Sequence, residues 1–136
     1  MTHPSLDWQP LVEAALQARA RAYAPYSHYT VGAALLTADG TIVTGANVEN
    51  AVYPLGICAE RVAVVRAVHE GHTRFQALVV ATANGGTPCG ACRQTLREFA
   101  AELPILIVDG EGRVVLETDL AELLPYAFSP ADLPRP

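Results

Sequence analysis

The chain has 136 residues, 51 % of them hydrophobic, and its nine Lys and Arg residues against fourteen Asp and Glu residues give a net charge of −5. This length and apolar content favour one domain over residues 1–136, and the acidic balance argues against a nucleic-acid partner, which usually requires a basic surface. Residues 1–17 lack the pattern of a signal peptide and no stretch approaches the ~18 apolar residues of a membrane helix, so we expect no membrane partner and a small ligand.

The first third of the chain predicts one helix and two strands. Apolar residues recur at helical spacing over about residues 8–22, and a proline three positions later cannot continue the helix. Residues 30–37 and 41–48 are rich in β-forming residues and are joined by Asp39-Gly40, a dipeptide typical of tight hairpins. We therefore expect these two strands to pair antiparallel.

The middle of the chain predicts a second helix, a buried strand and a third helix. Residues 59–69 show helical apolar spacing and end at Gly71, a residue suited to a left-handed cap. Residues 75–83 form a continuous apolar run, as in a central strand buried on both faces. The break at residues 84–88 separates this strand from a helix predicted over residues 89–101.

The last third predicts two strands and a short helix. Residues 104–108 and 113–117 are separated by only four residues, whereas a parallel connection needs about a dozen, so they must form a hairpin. Asp119 is placed to cap a short helix, and residues 127–136 form a proline-rich tail that we expect to be loosely held. The order α-β-β-α-β-α-β-β-α predicts a three-layer α/β/α fold around a mixed five-stranded sheet.

The three cysteines, Cys58, Cys89 and Cys92, carry the chemistry of this sequence. An odd number of cysteines cannot all pair within one chain, so a metal site in a reducing compartment, the cytoplasm, explains them better than a disulfide framework. Structural zinc sites use four protein ligands, whereas catalytic sites use three and leave the fourth position open. Three thiolates therefore favour an open zinc site with one ion per chain.

The spacing of these residues predicts where the site lies. Cys89 and Cys92, three positions apart, share one face near the start of a helix, where the helix dipole stabilises thiolates. Cys58 and Glu60 are two positions apart and would point to opposite sides within a helix. Both reach one cavity only if Cys58 lies at the very start of the second helix, so we expect a site between two helix N-termini.

Glu60 beside such a site predicts hydrolytic chemistry. A zinc ligand and a Glu separated by one residue and followed by P-C-x-x-C form the signature of zinc-dependent deaminases, in which the Glu acts as general acid and base. Glu60 is then expected to take a proton from water and pass it to a ring nitrogen and the leaving amine. Three thiolates give the zinc site a formal charge of about −1, which Arg61 and Arg93 would offset by donating to the sulfurs.

Four segments of the sequence resemble the small homotetrameric cytidine deaminases. They are APYSHYTVGA at 24–33, GANVENAVYP at 45–54, CAER at 58–61 and PCGACRQ at 88–94. The resemblance runs from the first helix to the region of Phe128, nearly the whole chain. It implies conversion of cytidine and deoxycytidine to uridine and deoxyuridine, with release of ammonia, by a homotetramer whose active sites lie at subunit contacts.

The resemblance also implies roles for individual residues. Asn47 and Glu49 would bind the ribose hydroxyls, and their alternate positions at a strand end place them on one side. Tyr29 would stack on the base, and the backbone of Ala59 would also contact it. The residues implied to reach a neighbouring subunit's pocket are Ala51, Tyr53 and Phe128.

Three other functions stay open at this point. Blasticidin S deaminase looks similar around the cysteines and Glu60, but residues 47–50 favour a nucleoside. A nucleic-acid editing deaminase is disfavoured by the acidic charge and by the short linker after Val108, where such enzymes have a helical crossover. A non-catalytic assembly module stabilised by zinc would leave cellular function intact after Glu60→Ala.

Overall fold

The computed structural model describes residues 6–134; the first five residues, and Arg135 and Pro136 of the predicted tail, lie outside the described residues. The helices are α1 (Gln9–Arg19), α2 (Ala59–His69), α3 (Gly90–Phe99) and α4 (Leu120–Leu123). The strands are β1 (Gly32–Thr37), β2 (Ile42–Ala46), β3 (Phe75–Ala81), β4 (Pro104–Val108) and β5 (Val114–Asp119). Short 3₁₀ turns lie at Tyr53–Leu55 and Pro130–Asp132.

The five strands form one mixed sheet in the order β2-β1-β3-β4-β5. Only the β3–β4 pair is parallel, and α3 makes the connection between these two strands. Helix α1 packs on one face of the sheet, and α2 and α3 contribute to the core on the other. This arrangement confirms the predicted three-layer fold and both predicted hairpins. Within residues 6–134, no helix has the length and apolar character needed to cross a membrane.

Strand β3 shows why its sequence is apolar throughout. Ala77, Val79 and Ala81 are buried in the cluster under α1, whereas Leu78 and Val80 are buried in the cluster under α2 and α3. Successive side chains of a strand point to opposite faces, so a strand covered on both sides needs apolar residues at every position. The carboxyl end of β3 leads directly to the loop that carries Cys89.

Two glycines allow the helices to approach the sheet closely. A Cβ atom on Gly32 would lie 2.0 Å from the carbonyl oxygen of Ala15 in α1. A Cβ atom on Gly45 would lie 2.5 Å from the carbonyl oxygen of Ala59 and 2.5 Å from the amide nitrogen of Ala63, both in α2. Both contacts involve backbone atoms, which cannot swing away as a side chain would. Gly45 therefore helps to fix the first turn of α2, where the predicted site begins.

The first helix is shorter than predicted. It ends at Arg19 instead of about residue 22, and the amide of Tyr23 donates to the carbonyl oxygen of Asn47 at 2.9 Å. Tyr23 forms an isolated bridge with Val48, so pairing with the segment that follows β2 overrides the helix propensity of residues 20–24. The other element boundaries lie within about two residues of the predicted ones.

The described part of the C-terminal tail is tied to the rest of the chain, unlike the loosely held tail that we expected. Gln94 Nε2 donates to the carbonyl oxygen of Phe128 at 2.8 Å. Ser129 is buried, and it forms a reciprocal cap with Asp132 around the last 3₁₀ turn. Proline content alone did not reveal these local hydrogen bonds.

Candidate active site

The three cysteines converge at the N-termini of α2 and α3. Cys58 is the N-cap of α2 and Cys89 is the N-cap of α3, while Cys92 lies in the first turn of α3. The Sγ atoms of Cys58 and Cys89 are 3.9 Å apart, those of Cys89 and Cys92 are 3.5 Å apart, and all three lie within 4.8 Å of one another. This is the predicted position, between two helix starts.

These distances fit a metal ion. Sulfurs bound to tetrahedral zinc at about 2.3 Å lie about 3.8 Å from each other. Within residues 6–134, the cluster consists of these three sulfurs and has no fourth Cys, His, Asp or Glu ligand. The cysteines can therefore hold one zinc ion and leave one coordination position free.

The charges around the sulfurs point to the same need for a cation. The thiol of Cys92 stabilises the thiolate of Cys58 by a hydrogen bond, and Arg61 does so to a smaller extent. Together they lower the pKa of Cys58 to about 5. Arg61 Nη2 lies 3.7 Å from Cys58 Sγ, in agreement with the predicted role of Arg61. The hydrogen bond to Cys58 and burial raise the pKa of Cys92, so this thiol keeps its proton in the metal-free chain. A cation bound among the sulfurs would favour loss of the Cys92 proton.

Glu60 lies in the first turn of α2, beside this cluster. Its side chain is buried, with 5 % of the residue exposed. Burial, and to a smaller extent repulsion from Cys58, raises the pKa of its carboxyl to about 7. A group with a pKa near neutrality can accept and return a proton at the pH of the cell. This pKa suits the predicted general acid and base.

A cavity of about 320 Å³ opens over the cluster. Its walls include Cys58, Cys89 and Glu60, together with Tyr29, Asn47 and Glu49. The structure thus brings six of the predicted site residues around one space large enough for a small molecule. Among the residues that the structure describes, no Arg or Lys lines the cavity.

Asn47 is held by both ends of its side-chain amide. Its Nδ2 donates to the carbonyl oxygen of Tyr29 at 2.9 Å, and its Oδ1 accepts from the amide of Val31 at 2.8 Å. These two bonds tie the end of β2 to the segment that enters β1. The position of Asn47 on the cavity wall is therefore fixed by the fold.

Glu49 lies on the same wall and is held by the segment before Tyr29. Its Oε1 accepts from the backbone amides of Tyr26 at 2.9 Å and Ser27 at 3.1 Å, and its Oε2 accepts from the hydroxyl of Ser27. The hydroxyl and amide of Ser27 lower the pKa of Glu49, which keeps this carboxyl ionised at neutral pH.

Tyr29 and Ala59, the two residues predicted to contact the base, are carried by different elements. The hydroxyl of Tyr29 donates to Asn84 Oδ1 at 2.7 Å, which links the segment before β1 to the loop before α3. Ala59 is fully buried at the first position of α2, where its backbone lies between Cys58 and Glu60.

Of the residues predicted to bind substrate, Ala59 and three exposed residues do not line this cavity. Ala51 is exposed, Tyr53 is 74 % exposed and Phe128 is 57 % exposed. Tyr53 packs edge-on against Tyr26 at a centroid distance of 5.6 Å and lines a neighbouring cavity of about 280 Å³, which shares Ser27 and Glu49 with the first. Within one chain, none of the three joins the walls around the cysteines.

Arg93 does not donate to sulfur, contrary to the prediction. Its guanidinium donates to the carbonyl oxygens of Pro88 and Leu123, both at 2.7 Å, and to Thr87 Oγ1 at 3.1 Å. These oxygens are better acceptors than a distant sulfur. Arg93 therefore joins the loop before Cys89 to the end of α4.

Ser27 and Thr82 were missed by sequence reasoning. Both line the cavity. Thr82 Oγ1 accepts from the amides of Gly85 and Gly86 at 2.7 Å and 2.9 Å, and so shapes the loop before Cys89. The Gly85-Gly86 pair signals a loop in the sequence, but nothing there identifies the hydroxyl that binds it.

Comparison with known proteins agrees with this geometry. Residues 7–107 match the family described as "Cytidine and deoxycytidylate deaminase zinc-binding region". The chain is 45 % identical to a cytidine deaminase of Sporosarcina psychrophila, over 94 % of this chain and 96 % of that protein. It is 47 % identical to a cytidine deaminase of Mycobacterium tuberculosis, over 97 % of each.

Solved structures agree as well. A crystal structure of cytidine deaminase from Burkholderia pseudomallei superposes with a TM-score of 0.83 at 44 % identity, covering 94 % of this chain and 100 % of that one. A crystal structure of cytidine deaminase from Mycobacterium tuberculosis gives a TM-score of 0.79 at 42 % identity, covering 91 % and 98 %. Together with the three sulfurs and Glu60, these similarities show that the chain belongs to the zinc-binding family of cytidine and deoxycytidylate deaminases.

Proposed function

We propose that this protein is a cytidine deaminase that converts cytidine and deoxycytidine to uridine and deoxyuridine with release of ammonia. One observation carries the proposal: the cysteine cluster and the buried carboxyl of Glu60 lie at the same cavity. The cluster leaves one coordination position free. When bound, zinc lowers the pKa of a water molecule and so supplies the nucleophile.

Glu60 moves the protons in this reaction. As water adds to C4 of the pyrimidine, the carboxylate accepts the proton of the water and gives it to N3. It then accepts the remaining proton from the hydroxyl added at C4 and delivers it to the exocyclic amine, which leaves as ammonia while the C4 carbonyl forms. Because Glu60 is buried, its exchange of protons with bulk solvent is limited.

The lining of the cavity supports a nucleoside over a nucleotide. A phosphate group is usually bound by Arg, Lys or a set of backbone amides, and no Arg or Lys within residues 6–134 lines this cavity. Glu49, ionised on the cavity wall, would repel a phosphate. We propose that Asn47 and Glu49 bind the sugar and that Tyr29 and the backbone of Ala59 contact the base.

The family resemblance supports three further proposals. The protein works in pyrimidine salvage in the cytoplasm, carries one zinc ion per chain, and forms a homotetramer. Ala51, Tyr53 and Phe128 then contribute to a neighbouring subunit's site, and their exposure in the single chain leaves them free to do so.

The test is uridine formation from cytidine by the purified protein, followed by the loss of absorbance of the cytosine ring. We expect activity to disappear after chelation and to return when zinc is added. Glu60→Gln should keep its zinc and lose turnover by about 10²- to 10⁴-fold, because it removes the proton carrier but not a ligand. Zinc-loaded protein that leaves cytidine unchanged, or Glu60→Gln with full activity, would contradict the proposal.

A further inference from the structure

The hydroxyl of Ser27 links two walls of the cavity. It donates to Glu49 Oε2 and accepts from the backbone amide of Tyr29 at 3.0 Å. Glu49 and Tyr29 lie on the wall of the same cavity as Ser27 itself. One side-chain oxygen therefore holds both the carboxylate proposed to bind the sugar and the segment that carries the ring proposed to contact the base.

The backbone around Ser27 is shaped to make these contacts. His28, the next residue, has a φ of 60°, and its amide donates to the carbonyl oxygen of Ala24 at 2.9 Å. A residue with a side chain adopts this left-handed conformation at an energetic disadvantage. The turn thereby directs the amides of Tyr26 and Ser27 and the hydroxyl of Ser27 to a single carboxylate.

The hydrogen bonds leave a defined acceptor site on Glu49. A carboxylate has about four lone-pair sites, two on each oxygen. Two backbone amides occupy those of Oε1, and the Ser27 hydroxyl occupies one on Oε2. The hydroxyl has only one hydrogen, so its bond to Glu49 fixes its direction while it accepts from Tyr29. One site on Oε2 stays available to accept a hydrogen bond from a ligand.

We propose that Ser27 is a positioning residue that directs the available acceptor site of Glu49 to a sugar hydroxyl and thereby helps to select nucleosides with a hydroxylated sugar. This inference rests on the proposed cytidine deaminase activity. Ser27 accepts a hydrogen bond from the amide of Tyr29, which helps to fix its orientation, and it acts on the substrate through Glu49. Its contribution is made on binding, so it affects KM more than kcat.

The experiment compares Ser27→Ala with wild type on cytidine and on 2′,3′-dideoxycytidine. A hydrogen bond to a charged group in a partly solvated cavity corresponds to roughly a five- to tenfold change in affinity. We expect KM for cytidine to rise by that factor with little change in kcat, and KM for dideoxycytidine to change less than twofold. Zinc content should be unchanged, and Ser27→Thr, which keeps the hydroxyl, should restore KM.

A double-mutant cycle separates this role from a purely structural one. If Ser27 acts through Glu49, Ser27→Ala should have no further effect on KM for cytidine in a Glu49→Ala background. Thr73→Ala removes a hydroxyl from an exposed position at the opposite end of β3 and serves as the control for both substrates. A merely structural role would instead raise KM for both nucleosides alike.

The possible failures are distinguishable. Equal KM changes for cytidine and dideoxycytidine, additive effects with Glu49→Ala, or an unchanged KM for cytidine would overturn the role of Ser27 and leave the proposed activity standing. Wild-type protein that forms no uridine would overturn the proposed activity, and this inference with it.

Discussion

Arg61 is a single residue that we expect to support the metal centre from outside it. Its guanidinium lies 3.7 Å from Cys58 Sγ, and its positive charge contributes to the low pKa of that thiol. A zinc ion with three thiolates has an excess of negative charge, which weakens its hold on a further ligand. A fixed cation beside one sulfur offsets part of this excess.

We expect Arg61→Gln to weaken zinc binding by roughly 10- to 100-fold, the usual effect of removing a partner that orients a metal ligand. Competition with a chelator measures this loss directly, and turnover of zinc-saturated protein measures its effect on the reaction. Arg66→Gln is the matched control, because Arg66 lies on the same helix and bonds to Thr44 and Glu70 instead of sulfur. Unchanged zinc affinity and turnover in Arg61→Gln would show that its contact with Cys58 has no such role.

At the scale of elements, the site depends on how closely α2 approaches β2. Gly45 faces the first turn of α2, and a Cβ atom there would lie 2.5 Å from backbone atoms of Ala59 and Ala63. Cys58 and Glu60 are carried by this turn. Any displacement of the helix start would therefore move the proposed metal ligand and the proposed proton carrier together.

We expect Gly45→Ala to lower the free energy of unfolding by about 2 kcal/mol or more, as inserted atoms do in a packed core. Zinc occupancy should fall as well, because Cys58 moves away from Cys89 and Cys92. Gly90→Ala is the control for stability: its Cβ would meet no atom within 4 Å, and alanine favours a helix. Thermal unfolding and metal analysis give both readouts, and equal melting temperatures for the two variants would refute the steric argument.

The sequence predicted the elements and the metal centre better than the contacts between distant residues. The position of Cys58 at a helix start followed from its two-residue distance to Glu60, because helical geometry leaves no other solution. The early end of α1 could not be predicted in this way, since it depends on the pairing of Tyr23 with Val48. The partners of Arg93 and Ser27 could not be predicted for the same reason. Arg93 bonds to residues 5 and 30 positions away, and Ser27 bonds to Glu49, 22 positions away, so no local pattern indicates these contacts.

At the scale of the whole molecule, the single chain leaves large apolar side chains uncovered. Tyr53, Leu55 and Phe128 are each more than half exposed. Tyr53 and Leu55 lie on the same 3₁₀ turn, and neighbouring exposed apolar side chains are a feature of interaction surfaces. Tyr53 and Phe128 do not line the cavity of their own chain, so any contact with substrate must be made in another copy.

Mixing two damaged variants tests whether subunits share their sites. Glu60→Gln lacks the proton carrier but keeps Phe128, whereas Phe128→Ala keeps Glu60 and should lose roughly tenfold in kcat/KM through the missing aromatic contact. In mixed tetramers, some sites combine Glu60 of one chain with Phe128 of another, so we expect more activity than the two variants give separately. Light scattering should report a mass four times that of one chain.

Mixing Glu60→Gln with Cys92→Ala is the control, because both changes lie in the centre of one chain and no mixed site is complete. Activity equal to the sum of the two variants, or a monomeric mass, would mean that each chain builds its site alone.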